Sequence, residues 1–417
     1  MSAEVKPGYM RTDAGVIPSD WQVVTIGDVA SFSGGAQPPR ETFIFDPKPG
    51  YIRLIQIRDY KSNDFVTYIP FSLAKKTCTS EDVMIGRYGP PIFQILRGLE
   101  GSYNVALIKT IPSSKLDREF WYYLLVQERL FKYIDLLSRR SSGQTGVEMS
   151  ALKAYHIPLP PMKEQQAISS ALIDVDVLIS SLDQLISKKR DIQQATMQQL
   201  LTGHRRLPGF SGEWVVKRLG DHLSFLRNGT NPRAELSTEG DVHYLHYGDI
   251  HGSQHLLLNP AKISMPCLPR DKAKRLDRLN NGDLVFADAS EDLDGVGKSA
   301  EVQLPEDMEL VAGLHTIAVR FDKKVMTDGF KAYLQFIPTF RSHLRQLAAG
   351  TKVYATNRAH IASAELKIPG IEEQAAIATI LSDMDAELAA LEVRREKARQ
   401  LKQGMMQELL TGRIRLA

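Results

Sequence analysis

The sequence contains a long internal repeat, which constrains the fold more than any other feature. Residues 157–207 and 366–416 align without a gap at an offset of 209, and 20 of the 51 aligned residues are identical. The identical residues include Glu164 and Glu373, Gln165 and Gln374, and the run Leu-Leu-Thr-Gly at 200–203 and 409–412. Agreement of this extent indicates an internal duplication.

Each copy of the repeat predicts one long helix. Pro160-Pro161 and Pro369-Gly370 stand before the predicted start of each helix, whereas Gly203 and Gly412 stand where a helix would end. About 40 residues at ~1.5 Å each would give a rod of roughly 60 Å. Apolar residues recur at intervals of three or four from Ile168 and from Ile377, a pattern typical of a coiled-coil seam. We therefore expect the two helices to pair antiparallel; separate packing of each helix on the globular parts is the alternative.

The segments outside the helices form a fainter repeat. Trp21 and Asp28 match Trp214 and Asp221 at an offset of 193. Short β-type runs dominate both segments, at 51–57, 242–247 and 316–321, and one helical stretch interrupts each segment, near 117–138 and 327–348. The sequence thus predicts duplicated α/β (α+β) modules with two long helices in an antiparallel coiled coil, related by a pseudo-two-fold axis. The predicted segments are module 1 at 1–156, helix repeat 1 at 157–207, module 2 at 208–365 and helix repeat 2 at 366–417.

Composition limits the functional classes. With 417 residues, 43% hydrophobic and 24% charged, the chain has the composition of a globular protein of more than one domain. No apolar run is long enough to cross a membrane, and Cys78 and Cys267 form neither a CxxC pair nor a disulfide framework. We therefore expect a cytoplasmic protein without membrane association. The net charge of +3 permits nucleic-acid binding without demonstrating it.

Several motifs resemble one known family, the specificity subunits of type I restriction–modification systems. The resemblance rests on Ile157-Pro-Leu-Pro-Pro-Met-Lys-Glu-Gln165, its echo at 368–374, and the two helix ends at 200–207 and 409–416. The module openings around Trp21 and Trp214 and the segment Asp288-Ala-Ser-Glu-Asp292 are also similar to the family. The resemblance extends over essentially the whole chain, in duplicated order.

The resemblance implies a division of labour between subunits. Each module would be a target recognition domain that reads one half of a bipartite site in double-stranded DNA. The helices would set the spacer and dock two methyltransferase subunits, with restriction/translocase subunits completing the complex. S-adenosylmethionine, ATP and Mg would bind those partners, so that this chain carries no cofactor, no metal and no catalytic residue. The repeated helix residues become candidates for the partner-subunit and helix motif: Glu164, Gln165, Glu373, Gln374, Thr202, Gly203, Thr411 and Gly412.

Loops in matching places of the two modules supply the candidate DNA contacts. Recognition uses Arg or Lys for phosphates and Arg, Asn, Gln, Ser, Thr or Tyr for base edges. The matched loops are 34–40 with 227–233, 86–89 with 288–290, and 138–146 with 349–358. The candidates in module 1 are Arg40, Arg87, Tyr88, Arg139, Arg140, Gln144 and Thr145. Those in module 2 are Asn228, Thr230, Arg233, Ser290, Lys298, Lys352, Tyr354, Asn357 and Arg358. For each loop, an ordinary solvated loop is the alternative.

Two segments imitate other chemistry. Gly295-Val-Gly-Lys-Ser299 lacks the first glycine of a phosphate-binding loop, because Asp292 stands there, so we expect a polar loop whose Lys298 can contact DNA. The histidines at 243, 246, 251 and 255 lack a recognised metal-ligand spacing. Two further hypotheses stay open: a self-contained DNA modification enzyme, which the missing methyltransferase motifs disfavour, and a coiled-coil scaffold with protein-binding modules.

Overall fold

The computed structural model describes residues 5–138, 146–253, 255–350 and 352–416. The chain forms two compact units, one made of Met1–Leu182 with Arg394–Ala417 and the other of Asp183–Val393. Two long helices, α5 and α9 below, contribute residues to both units. The predicted division into four segments follows the repeat instead and stays a prediction.

Unit 1 is built of short strands, short helices and parts of both long helices. Its strands are β1 (Tyr9–Thr12), β2 (Gly15–Pro18), β3 (Gln22–Thr25), β4 (Ala30–Gly34), β5 (Tyr51–Ile55), β6 (Tyr68–Pro70), β7 (Thr77–Cys78), β8 (Met84–Gly86), β9 (Gln94–Leu96), β10 (Gly101–Tyr103), β11 (Leu107–Pro112) and β12 (His156–Leu159). Its helices are α1 (Ile26–Val29), α2 (Arg118–Leu125), α3 (Glu128–Ser138), α4 (Met149–Ala154) and the beginning of α5 (Met162–Leu201).

Two four-stranded sheets organise unit 1, with strand orders β6-β5-β10-β7 and β4-β11-β8-β9. A separate two-stranded ladder pairs β12 with β3, and so joins the strand before the long helix to the start of the module. Helix α2 begins where the Asp117 side chain accepts the Phe120 amide at 2.9 Å, an N-cap that satisfies a free helix donor. Its apolar face, including Phe120, Trp121 and Leu124, lies in the main core with Ile168 and Leu172 of α5.

Unit 2 repeats this plan. Its strands are β13 (Val215–Arg218), β14 (Leu223–Phe225), β15 (Val242–Leu245), β16 (Leu257–Leu258), β17 (Cys267–Leu268), β18 (Leu284–Ala287), β19 (Ala289–Ser290), β20 (Ser299–Val302), β21 (Glu309–Ala312), β22 (Thr316–Phe321), β23 (Tyr354–Ala355) and β24 (Glu365–Ile368). Its helices are α6 (Tyr247–Gly252), α7 (Pro338–Leu347), α8 (Arg358–Ala362) and the beginning of α9 (Ile371–Leu409).

The sheets of unit 2 correspond to those of unit 1. A five-stranded sheet runs β14-β22-β18-β20-β16, a three-stranded sheet runs β17-β15-β21, and β13 pairs with β24 before the long helix. Strands β4, β11 and β8 therefore correspond to β14, β22 and β18, and β5, β10 and β6 correspond to β15, β21 and β17. The predicted duplicated α/β organisation is confirmed. The sequence alignment at a constant offset misses most of this correspondence, because the loops between the strands differ in length.

The long helices have the predicted extents and ends. They contain 40 and 39 residues, and each is followed by a glycine with φ of 71°, Gly203 and Gly412. This left-handed conformation favours glycine. The Arg413 amide then donates to the Glu408 carbonyl at 2.9 Å, which satisfies one of the free carbonyls at a helix end.

The two long helices run antiparallel in each unit, as predicted. In unit 1, Lys402 of α9 pairs with Asp176 of α5 at 2.7 Å, and Leu409 packs in the same core as Ile168. In unit 2, Gln193 of α5 donates to Asp385 of α9 at 2.6 Å. The seam is apolar where the sequence predicts it: Ile168, Leu172, Leu182, Ile186, Ile377 and Leu381 are all buried.

In the parts of the chain that the structure describes, no helix is sufficiently long and apolar to traverse a bilayer.

Candidate nucleic-acid interface

Backbone hydrogen bonds bring four separate segments of unit 1 to one edge of the module. The Ala36 amide donates to the Tyr103 carbonyl at 3.1 Å, and the Arg87 amide donates to the Ala106 carbonyl at 2.8 Å. The Val147 amide in turn donates to the Arg87 carbonyl at 3.1 Å. We call residues 35–40, 86–89, 104–106 and 146–147 the module 1 loop edge. It includes described residues from each of the three loops in which the sequence predicts DNA contacts.

Basic and aromatic side chains lie on the module 1 loop edge. Arg40 and Arg87 are exposed, and Tyr88 is half-buried. The Arg87 guanidinium lies over the Tyr88 ring, 5.1 Å from its centroid, a favourable contact between a cation and the negative face of an aromatic ring. Gly146 lies against that ring, where a Cβ would come within 3.3 Å of it. The other candidates of this module, Arg139, Arg140, Gln144 and Thr145, fall outside the described residues.

Unit 2 has an equivalent edge held by equivalent bonds. The Gly229 amide donates to the Ala312 carbonyl at 2.8 Å, and the Asp288 amide donates to the His315 carbonyl at 3.1 Å. The Asp288 carbonyl accepts the Thr356 amide at 2.8 Å. We call residues 228–233, 288–290, 313–315 and 354–358 the module 2 loop edge. The structure therefore brings together the matched loops of each module, a grouping that no single loop sequence reveals.

A network of side chains orders the module 2 loop edge. Arg358 donates to the Asn228 side-chain oxygen at 3.1 Å and to the Leu226 carbonyl at 2.9 Å. Asn228 donates to the Gly313 carbonyl at 3.3 Å. Arg233 pairs with Asp249 at 3.8 Å, and its side chain is 64% exposed. Thr230 and Lys352 are also exposed. Four predicted residues of module 2 therefore present a cationic or hydroxyl group to solvent, namely Thr230, Arg233, Lys352 and Arg358.

Other predicted residues of module 2 have partners inside the module. Asn357 caps α8 by accepting the His360 amide at 2.9 Å. Tyr354 is half-buried and pairs in strand β23 with Ser290 of β19. Ser290 is 7% exposed, and its hydroxyl accepts the Asp292 amide at 3.3 Å. The Ser290 hydroxyl is therefore poorly placed for a base.

The segment that imitates a phosphate-binding loop has its polar groups engaged. The Gly295 amide donates to the Asp292 carboxylate at 2.6 Å. The Lys298 ammonium donates to the carbonyls of His251 and Ser253, at 2.8 and 3.3 Å, and burial lowers the Lys298 pKa. The structure thus gives Lys298 an intramolecular role, which corrects the expectation that its side chain is free to contact DNA.

An aromatic and histidine cluster at the module 2 loop edge escaped the sequence analysis. The Tyr247 ring lies edge-on to His251 and His315, at centroid distances of 6.1 and 5.4 Å, and beside His246 at 4.6 Å. The His315 Nδ1 is 3.2 Å from an Asp288 oxygen. Burial lowers the pKa of His246, which favours the neutral ring. The segments His246-Tyr-Gly-Asp249 and Gln56-Ile-Arg-Asp59 form the same turn, in which the aspartate accepts the amide three residues before it, at 2.9 and 2.8 Å. The shared aspartate at the fourth position is a sequence signal from which the position of this turn in both modules was predictable.

The repeated glutamates tie each long helix to its module. In unit 1, Glu164 accepts the Trp21 indole at 3.0 Å and the Arg415 guanidinium at 2.7 Å. In unit 2, Glu373 accepts the Trp214 indole at 3.1 Å and the Arg206 guanidinium at 2.6 Å. The glutamates are 6% and 3% exposed. We call each arrangement a tryptophan–glutamate–arginine clamp. Hydrogen bonds from Arg415 to Glu164 and then Asp20 raise the Arg415 pKa, so that the guanidinium is charged at every relevant pH.

The repeated glutamines act in the same way on backbone groups. Gln165 accepts the Asp117 amide at 2.8 Å and donates to the Lys115 and Pro160 carbonyls, both at 2.9 Å. Gln374 accepts the Thr327 amide at 3.0 Å and donates to the Val325 and Pro369 carbonyls, both at 2.9 Å. Both side chains are 1% exposed. The glutamates and glutamines are thus buried links within a unit and do not form part of an exposed surface for a partner subunit.

The helix ends complete these junctions. Thr202 and Thr411 donate to helix carbonyls four residues earlier, at 2.5 and 2.6 Å. A Cβ at Gly203 would lie 3.4 Å from the Trp214 ring, and one at Gly412 would lie 2.4 Å from Pro18 and 3.0 Å from the Trp21 ring. The four repeated Thr and Gly residues therefore end the helix where the tryptophan of the clamp packs. Their structural role accounts for the repeated motif.

Comparison with known proteins agrees with the architecture. Residues 18–188 match the model of the family described as type I restriction modification DNA specificity domain. Over these residues the chain is similar to this family, and the curated relatives that it matches are specificity subunits.

Individual relatives match over nearly the full chain. The type I restriction enzyme MjaVIII specificity subunit of Methanocaldococcus jannaschii is 23% identical over 96% of this chain and 94% of its own length. The S subunit of a type I restriction–modification system from M. genitalium has a similar fold, with a TM-score of 0.58 at 14% identity, over 93% of this chain and 96% of that one. A chain from a structure describing complex assembly of the type I R-M system gives a TM-score of 0.53 at 16% identity, over 95% and 99% of the two chains.

Proposed function

We propose that the protein is the DNA-reading, non-catalytic subunit of a type I restriction–modification complex, in which each module reads one half of a bipartite double-stranded target. The observation that carries the proposal is the pair of equivalent loop edges. Both edges are assembled by the same backbone bonds while their side chains differ. A backbone arrangement that the two modules share, with different side chains on it, is suited to reading two different half-sites.

The exposed cations provide contacts to phosphate. Arg40 and Arg233 occupy matching positions after β4 and β14, and both are exposed. Lys352 is exposed and lies two residues before the last segment of the module 2 loop edge. Phosphate contacts fix register without reading sequence and make binding sensitive to salt.

The remaining edge residues are suited to bases. Arg87 and Tyr88 in module 1, and Asn228, Thr230 and Arg358 in module 2, offer the donors and acceptors that discriminate base pairs in the major groove. Arg139, Arg140, Gln144 and Thr145 belong to the same set by their place in the chain. Asn357 and Tyr354 contribute mainly by ordering the backbone of the module 2 loop edge.

The chemistry belongs to partner subunits in this proposal. Two methyltransferase subunits bind S-adenosylmethionine, and restriction/translocase subunits supply ATP- and Mg-dependent steps. The chain's own residues hold the loop edges and, through α5 and α9, set the distance between the half-sites. The engaged amide of Gly295 and ammonium of Lys298 favour this assignment over nucleotide binding.

Methylation mapping tests the proposal. The chain is co-expressed with its methyltransferase subunits in a host without adenine methylation, and methylated adenines are mapped genome-wide. The expected result is a bipartite motif with a fixed gap. A contiguous motif contradicts the proposal, as does the absence of methylation from an assembled complex.

A paired insertion tests the spacer role separately. Seven residues of helical sequence are inserted after Leu182 and after Val393, where α5 and α9 pass from one unit to the other. At ~1.5 Å per residue the added length is about 10 Å, so the gap should lengthen by a few base pairs while both half-sites stay unchanged. Altered half-sites would show that the helices do more than set distance.

A further inference from the structure

We propose that Arg87 and Asp288 occupy the same base-reading position in the two modules and select opposite kinds of base edge. Arg87 selects the two acceptors of guanine, and Asp288 selects the exocyclic amine of cytosine or adenine. The inference rests on the proposed function and deepens it, because it assigns a chemical class of base to each module.

The equivalence of the two residues follows from the backbone. Arg87 is the first residue after β8, and Asp288 is the first residue after β18. These two strands occupy the same place in their sheets, because β8 lies next to β11 and β18 lies next to β22. The amide of Arg87 donates to Ala106, and that of Asp288 donates to His315, each within the turn before β11 or β22. The two carbonyls accept the amides of Val147 and Thr356, at 3.1 and 2.8 Å. Four bonds thus place both Cα atoms in the same local frame.

Both side chains are available at the loop edge. Arg87 is exposed and rests on the Tyr88 ring, which leaves its guanidinium without a carboxylate partner in the described residues. The Asp288 side chain is 31% exposed. One of its oxygens is bonded to His315, and the other takes no hydrogen bond from the residues that the structure describes.

The chemistry of the two groups separates their targets. A guanidinium donates in a fixed fork that matches O6 and N7 of guanine, whereas an ionised carboxylate can only accept. A carboxylate near phosphates is repelled unless a donor offsets the repulsion. In the major groove the donors of the bases are the exocyclic amines of cytosine and adenine, so the free oxygen of Asp288 selects one of these amines.

His315 positions the Asp288 carboxylate. It is a non-glycine residue with φ of 56°, a conformation that is uncommon for such residues and is often found at functional sites. Its ring is held edge-on to Tyr247 and points Nδ1 at one Asp288 oxygen. The equivalent residue of module 1 is Ala106, whose side chain has no hydrogen-bonding group. This difference marks the module 2 position as a built acceptor.

The test compares two substitutions in the co-expressed methyltransferase complex. Asp288→Asn adds a donor to the carboxylate position, and Arg87→Gln removes the guanidinium fork. Surface controls of the same chemistry are Asp307→Asn in module 2 and Arg118→Gln in module 1, both at exposed positions. Each test variant should relax one base position of one half-site by roughly 5- to 100-fold in methylation rate. The two variants should affect different half-sites, and the controls should leave both unchanged.

Substrate analogues provide a second measurement, made first on the wild-type complex and then on variants. Duplexes carrying 7-deazaguanine, or a base without its exocyclic amine, are methylated by the wild-type complex. Apart from the adenine that accepts the methyl group, one half-site should contain a position sensitive to the loss of guanine N7, and the other a position sensitive to the loss of an amine. Asp288→Asn should remove only the amine sensitivity. His315→Asn, which tolerates the left-handed conformation, should weaken selectivity at that same position and nowhere else.

The outcomes separate the inference from the function on which it rests. If the wild-type complex yields no bipartite motif, the proposed function fails before any variant is compared. If the motif is bipartite but neither analogue discriminates, the base assignment is overturned. The same holds if both test variants keep the wild-type motif, or lower methylation equally at every site.

Discussion

The two tryptophan–glutamate–arginine clamps differ in one respect that makes their stabilities separable. Arg415 has two carboxylate partners, Glu164 and Asp20, with Asp20 bonded at 2.9 Å through two nitrogens. Among the described residues, Arg206 has a single carboxylate partner, Glu373, and otherwise donates to the Gly212 carbonyl at 2.8 Å. Neutralising the glutamate should therefore leave Arg206, and not Arg415, without a counter-charge.

The substitutions Glu373→Gln and Glu164→Gln keep size and hydrogen-bonding atoms while removing charge. Breaking a buried ion pair costs about 3–5 kcal/mol when one charge is left unpaired. The Arg206 side chain is 27% exposed, and Gln still accepts a hydrogen bond. We therefore expect Glu373→Gln to lower the free energy of local unfolding by about 3 kcal/mol, at the lower end of that range. We expect Glu164→Gln to lower the same free energy by about 1 kcal/mol, because Asp20 remains as a carboxylate partner of Arg415.

Hydrogen exchange measures the two effects in the same molecule. Peptides covering 199–206 and 371–378 report on the Glu373 clamp, and those covering 162–169 and 408–416 report on the Glu164 clamp. At about 1.4 kcal/mol per tenfold, Glu373→Gln should speed local exchange by about 100-fold and Glu164→Gln by about fivefold. Asp20→Asn combined with Glu164→Gln should raise the smaller effect to the size of the larger one. Equal effects of the two single substitutions would refute the argument from counter-charge.

Three further predictions concern the helices and module 2. Gln193→Lys should give Asp385 an ion pair like the one between the long helices in unit 1, and should raise the urea midpoint by an amount that shrinks in high salt; no salt dependence would contradict the ion pair. Gly412→Ala should destabilise more than Gly203→Ala, because the two glycines share a φ of 71° while the new Cβ meets a neighbour at 2.4 Å in the first and 3.4 Å in the second; the comparison of thermal unfolding midpoints tests the order. Burial raises the pKa of Glu301 from 4.5 to about 7. Its ionisation therefore lowers stability as pH rises through that interval, and Glu301→Gln should gain stability relative to wild type between pH of about 5 and about 8. A difference in urea midpoint that does not change with pH would contradict this reasoning.

The long helices were predictable because local signals agree with one another. A repeated apolar spacing, proline before the start and glycine after the end all specify the same element, and the structure confirms its length. The antiparallel pairing was also predictable, because each helix has one apolar stripe that must be covered. The strands were located only approximately; the run predicted at 51–57 ends as a strand at Ile55, because the next residues form a turn capped by Asp59.

The role of the repeated glutamates was not predictable from the sequence. Glu164 lies 143 residues from Trp21, whereas Glu373 lies 159 residues from Trp214. The equivalent contacts therefore have different sequence separations, and a search at one offset cannot pair them. Individual side chains of the loops posed a similar difficulty. Ser290 and Lys298 are polar residues in polar segments, but the surrounding fold directs both side chains inward.

The glutamine junctions bear on how such a protein can change over generations. Gln165 and Gln374 make the same three bonds, yet the residues whose main chain they bind differ in type: Lys115 and Asp117 in one unit, Val325 and Thr327 in the other. A joint that recognises only the main chain places no demand on the side chains of the module that it holds. A gene encoding a different reading module could therefore replace the resident one, provided that the new module keeps the clamp tryptophan and offers one backbone amide and one backbone carbonyl at this junction. The junction with the long helices can therefore stay the same while the sequences of the modules diverge.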